Sequence, residues 1–131
     1  MTRAEVHQVL GKPQRSGREE REAFLGGFFV HYDSAGRVEF VELARSPDFR
    51  AQFHGVCLHE VLAEEAVELV EEYDEFDETQ PEPGYMYIFL DLQLSLWRGT
   101  CPEPGQPESD PDGRYFEAVG VAATGYFKPG E

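Results

Sequence analysis

The run GFFVHYDSAGRVEFVEL, residues 27–43, constrains the fold more than any other stretch of the chain. Two segments rich in β-branched and aromatic residues flank DSAG, a turn in which Gly36 stands where a positive φ is expected. This pattern predicts a β-hairpin. AQFHGVCL, residues 51–58, reads as a third strand with Gly55 as a bulge. YMYIFLDLQLSLWRG, residues 85–99, holds two strand-like pieces, and in the second Leu92, Leu94 and Leu96 alternate with Gln93, Ser95 and Trp97. YFEAVGVAATGYF, residues 115–127, supplies a final strand and an aromatic end.

Two stretches have helical character. In TRAEVHQVLGKP, Thr2 and Glu5 have capping-box spacing and Val6, Val9 and Leu10 form an apolar stripe. Gly11 and Pro13 end that helix. QRSGREEREAFLGG, residues 14–27, then reads as a charged, mobile connection, with a partly helical stretch as the alternative. Residues 60–84, EVLAEEAVELVEEYDEFDETQPEPG, contain eleven acidic residues and no Lys or Arg. Leu62, Ala66, Leu69, Val70 and Tyr73 follow helical spacing there, with Glu64, Glu68, Glu71, Glu72 and Glu75 on the other side.

This order of elements predicts an α+β fold: two helix-then-antiparallel-strand units forming a helix layer on one antiparallel sheet. The 131 residues suit one domain, with a pseudo-repeat of 1–58 and 59–131 and an exposed loop at 99–114 that holds four prolines. The hydrophobic content of 40%, with ten Phe and six Tyr, provides for a packed core. No apolar run approaches about 18 residues and the N-terminus has no signal-peptide core, so no membrane contact and a cytoplasmic location are expected. Cys57 and Cys101 then read as reduced packing residues.

Charge is the strongest pointer toward a role. The net charge is −15, yet residues 1–50 carry eight basic and eight acidic residues, so the excess lies entirely after residue 50. No Lys or Arg occurs between Ala51 and Trp97, which argues against nucleic acid or an anionic membrane as a partner of that region. A basic protein partner is the remaining electrostatic option. Glu64/Glu68, Glu68/Glu72 and Glu71/Glu75 are like-charge neighbours, each costing about 0.2–0.5 kcal/mol in an isolated helix. A sequence selected for stability alone would place Lys among them. The expected partner-binding face is therefore Glu64, Glu68, Glu71, Glu72, Asp74, Glu75, Asp77 and Glu78. Trp97 and Arg98 join it, because Trp and Arg are favoured at interface hot spots.

MTRAEVHQVLGKP followed by a hairpin resembles the repeat unit of the β-lactamase-inhibitor-like and outer-membrane assembly lipoprotein families, in which a short helix with a Thr start and a Gly-x-Pro end precedes a sheet. The resemblance covers residues 1–45 and implies protein binding without catalysis. The second helix lacks the Gly-Lys-Pro ending, and no lipid-attachment cysteine is present, so the lipoprotein role is not implied. VHYDSAGRVEFVEL, LSLWRG and FEAVGVAATGYF are similar to segments of small bacterial cytoplasmic proteins of the immunity type, which implies an inhibitor acting by occlusion.

Other constellations are weaker. His54, Cys57 and His59 are zinc-binding residue types, but strand alternation points His54 away from the other two. ESDPDGRYFE places Glu108, Asp110 and Asp112 at calcium-loop positions, yet the closing ligand position falls on Val119, so the aspartates read as turn residues. No carboxylate pair or nucleophile–base order stands out, and no enzyme activity, cofactor or metal is expected. The alternative reading is a small-ligand-binding or enzymatic domain with an aromatic-lined pocket on the sheet, drawn from Tyr85, Tyr87, Trp97, Tyr115, Phe116, Tyr126 and Phe127. A cavity joining Tyr87, Trp97 and His54 would mark it. A third reading is self-association through an exposed apolar sheet face.

Overall fold

The computed structural model describes residues 1–18, 21–80 and 82–129. It is a mixed α/β structure with two helices and, among the described residues, one seven-stranded antiparallel sheet and one two-stranded sheet. Helix α1, Arg3–Leu10, starts on the predicted capping box: the Glu5 N–H donates to Thr2 Oγ1 and the Thr2 N–H to Glu5 Oε1. Gly11 closes it at φ +82°, donating to the His7 carbonyl.

The charged connection after α1 is not a mobile linker. Arg15–Arg18 and Arg21–Phe24 form strands β1 and β2, because the alternation in REAF buries Glu22 and Phe24 together on one face. Glu19 and Glu20 of that stretch lie outside the described residues, as does Pro81 of the later acidic loop. The predicted hairpin is present as β3, Phe28–Tyr32, and β4, Val38–Ala44. Its turn is built by Asp33 Oδ1, which accepts from the Ala35 and Arg37 amides, with Gly36 at φ +77°.

AQFHGVCL does not form one strand. Gln52–Phe53 (β5) and Val56–Cys57 (β6) pair across His54 and Gly55, which have φ of +50° and +82°. Positive φ at both loop positions matches the twist of a two-residue hairpin, so Gly55 makes a turn and not a bulge.

Helix α2, Ala63–Glu71, is shorter than the acidic run and rotated from the predicted stripe. Ala63, Ala66, Val67 and Val70 are buried, Leu62 is the exposed N-cap, and Tyr73 lies beyond the helix, stacked on His54. The turn after Glu72 is held by Asp74, whose carboxylate accepts the Asp91 and Leu92 amides. Glu75 is therefore not a helical neighbour of Glu71.

Strands β7, Met86–Phe89, and β8, Leu94–Trp97, form a hairpin, with Leu92 exposed in its turn. The last strand, β9, Ala118–Ala122, inserts between β4 and β8, giving the order β1-β2-β3-β4-β9-β8-β7. Two meanders thus meet through their final strands. Register places Phe24, Phe28, Leu43, Val119, Leu96 and Tyr87 in one row across six strands. The adjacent row, Ala23, Phe29, Glu42, Gly120, Ser95 and Ile88, faces the other way.

The core lies in two clusters. Val6 of α1 packs with Phe24, Val30 and Tyr32. The buried residues of α2 pack with Leu58, Phe89, Leu94, Leu96, Phe116 and Val119. Among the described residues no helix is long and apolar enough to cross a membrane.

Candidate functional site

The face of the sheet that carries Gly120 is shaped by the composition of β9. In AVGVA the two valines take one face and Ala118, Gly120 and Ala122 take the other, leaving a shallow channel between the longer side chains of β4 and β8. The Phe40 ring fills part of it: a Cβ on Gly120 would lie 2.6 Å from Phe40 Cε1 and 2.4 Å from Ser95 Oγ. Phe40 is consequently buried although it is on the face away from α2.

The C-terminal segment crosses this face as a strap. Tyr126 stacks on Phe40 with centroids 5.1 Å apart, and Phe127 meets the same ring edge-on at 5.7 Å. The buried Gln93 anchors the strap, accepting the Phe127 N–H at 2.7 Å and donating to the Phe127 carbonyl at 3.1 Å. Between strap and sheet remains a groove of about 370 Å³, walled by Phe40, Glu42, Met86, Trp97, Tyr126 and Phe127. Burial, followed by the negative charges of Glu39 and Glu42, pushes the Tyr126 hydroxyl pKa up.

A second, larger cavity of about 690 Å³ lies where β4 ends, between Arg45, Thr100, Tyr115 and Glu117. The guanidinium in its described lining is already engaged: Arg45 donates to the His59 carbonyl and sits over the Tyr115 ring at 5.2 Å. His59 beside it is buried and bonded through Nε2 to the Leu43 carbonyl, and burial lowers its pKa, so it is a neutral packing group.

The expected partner-binding residues separate into three groups. Glu64, Glu68, Glu71 and Glu72 are exposed on α2 or at its C-cap, with Glu65 beside them, and Glu75 and Glu78 are exposed in the segment that follows. Asp74 and Asp77 are structural: Asp77 accepts the Thr79 amide and the Gln80 side chain, as Asp74 accepts Asp91 and Leu92. Arg98 is not a surface residue at all. It is 5% exposed and donates to the Gly84 and Gly113 carbonyls at 2.9 and 2.8 Å, with Phe116 beneath it. Trp97, its neighbour, points to the opposite side and lines the aromatic groove, away from α2.

The other candidates are likewise dispersed. His54 is at the β5–β6 turn, Cys57 is half-buried and His59 is internal; among the described residues no three metal-ligating side chains converge. Asp110 and Asp112 build a turn in the loop 99–114, where Arg114 donates to the Asp110 and Pro107 carbonyls. Tyr87, Trp97 and His54 do not share a cavity, because Tyr87 is on the core face, Trp97 on the other, and His54 outside the main sheet. The sequence points to Trp97, Tyr126 and Phe127 among the aromatics but not to Phe40 or Glu42; the alternation of small residues in β9 is the signal that locates them.

No protein-family model, curated protein sequence or solved structure matches this chain.

Proposed function

We propose that this chain is a non-enzymatic, cytoplasmic protein-binding domain, of the immunity-inhibitor kind, that holds a basic protein against the acidic outer face of α2. The observation that carries this reading is the absence of compensation: among the described residues, exposed Glu65, Glu68, Glu71, Glu72, Glu75 and Glu78 form no ion pair. Of the cations nearest in sequence, Arg50 pairs with Glu60 at 2.6 Å, and Arg98, bonded to carbonyls in the interior, reaches only Glu64 of the patch, at 3.8 Å. A patch left in this condition repels itself and attracts a cationic surface, raising the rate of encounter. Occlusion of the partner, without bond chemistry, then suffices for inhibition.

The same reading takes the fold as two helix-then-strand units within one domain, each helix covering its part of the sheet, joined where β4 pairs with β9. Unpaired Cys57 and Cys101 suit a reducing compartment.

The test is affinity capture from host lysate at low and high salt, using wild type beside a folded Glu65/Glu68/Glu71/Glu72→Gln variant. A basic protein retained by wild type alone, and released by salt, supports the reading. Equal capture by both proteins would remove α2 from the interface.

A further inference from the structure

The groove under the C-terminal strap has a combination of walls that the acidic-face reading leaves unused. Trp97, Tyr126, Phe127 and Phe40 contribute rings, Met86 a polarisable thioether, and Glu42 the sole charge of the lining among the described residues. The Glu42 side chain is half-buried and, among the described residues, makes no hydrogen bond or ion pair. Arg21, two strands away on β2, is spent on the Phe29 ring at 4.2 Å, and no ion pair joins it to Glu42. Adjacent His31 lies against Phe40 at 5.2 Å, and burial, reinforced by Arg21, lowers its pKa, so it brings no positive charge at neutral pH.

Ring faces are negative and attract cations, most strongly a diffuse, weakly hydrated one such as an alkylated ammonium. A carboxylate on the same wall rejects anions and completes the charge of a cationic guest. The volume of about 370 Å³ is that of a small-molecule pocket. The strap, tied by Gln93, bounds the groove and limits the room for an extended peptide. We infer that this groove binds a small, free organic cation with a quaternary or alkylated ammonium head, held among Trp97, Tyr126 and Phe127 and countered by Glu42. The site is on the sheet face opposite Trp97's neighbour Leu96 and the α2 core, so it is independent of the acidic helix.

The chain's single tryptophan is Trp97, so its fluorescence reports on this groove alone. The experiment titrates the full chain with choline chloride, using sodium chloride of equal ionic strength as blank and 3,3-dimethylbutan-1-ol as the uncharged isostere. Trp97 emission is one readout, and the amide NMR shifts of Ser95, Ala118 and Gly120 are a second that survives loss of the indole. The expected result is a saturable response to choline, about tenfold weaker for the neutral isostere and about fivefold weaker in Glu42→Gln, whose fold is checked by circular dichroism. Trp97→Leu, at a partly exposed position, provides a second variant and should weaken choline by a similar factor in the NMR readout. No saturable response, or equal affinity for alcohol and cation, overturns the proposal. Unchanged choline affinity in a folded Glu42→Gln or Trp97→Leu variant also overturns it. A short peptide bearing one trimethyllysine is the final arm: binding about tenfold tighter than choline would overturn the assignment to a free small molecule.

Discussion

The Tyr126 ring lies parallel to that of Phe40, at a centroid distance of 5.1 Å and an interplanar angle of 2°. A residue near the C-terminus is thereby stacked on a strand from the first third of the chain. Because Phe40 leans over Gly120, the stack depends on the one position of β9 without a side chain.

Gly120→Ala should destabilise the protein by about 1–3 kcal/mol, since the new Cβ would sit within 2.7 Å of Phe40 and Ser95 atoms and must displace them. Thermal melts measure the loss. In a double-mutant cycle with Phe40→Leu, the Gly120→Ala penalty should shrink; strict additivity would show that the ring is not what the methyl meets.

Gln93→Ala removes both bonds that hold Phe127 to the sheet, at 2.7 and 3.1 Å, together with a third to the Leu90 carbonyl. We expect a loss of about 1–3 kcal/mol, concentrated in the strap. Hydrogen exchange at the Phe127 amide should accelerate far more than at the β8 and β9 amides. Uniform acceleration across the sheet would contradict a local anchor.

Glu22 is 2% exposed and joins α1 to the sheet, with His7 Nε2 at 2.8 Å, the Tyr32 hydroxyl at 2.8 Å and the Arg3 guanidinium at 3.6 Å. Burial raises its pKa, but the hydrogen bonds from His7 and Tyr32 and the charges of His7 and Arg3 outweigh that and leave it lowered. A carboxylate with a lowered folded pKa stabilises the protein above its unfolded pKa of about 4.3 and loses that contribution as the pH falls through the folded value. Glu22→Gln should cost about 1.5–3 kcal/mol at pH 7 and much less near pH 3. Urea midpoints of the two proteins across that range provide the check; a gap that does not narrow in acid would refute the linkage.

Arg98→Met should destabilise by about 2–4 kcal/mol, because the Gly84 and Gly113 carbonyls lose their donor inside the protein. The effect should appear in unfolding curves of the isolated protein. A variant of unchanged stability would restore Arg98 to the list of surface residues.

Replacing Glu68 and Glu72 with Gln relieves repulsion one turn apart on α2 and at its negative end, so stability should rise by about 0.2–0.5 kcal/mol at low salt. The gain should vanish in about 1 M salt, where the screening length falls to about 3 Å. Melting temperatures at the two salt concentrations distinguish this from a packing effect.

Local chemistry was legible in the sequence. Thr2, Glu5 and Gly11 cap α1, Asp33 and Gly36 build the β3–β4 turn, and the Leu94–Leu96 alternation faces the core, because each signal acts over a few residues. The cation-free acidic run likewise follows from composition alone. Where competing interactions are distant, the local pattern misleads: His54 and Gly55 turn a strand into a hairpin, and Asp74 diverts the chain after Glu72 by bonding to Asp91 and Leu92. Only the tertiary structure sent Arg98 inward and Trp97 outward, since adjacent residues near a strand end take opposite sides and the side that is buried depends on what covers it. The groove has the same origin. It requires β9 to enter between β4 and β8, and that long-range pairing is decided by the packing of the whole sheet, not by any spacing within one segment.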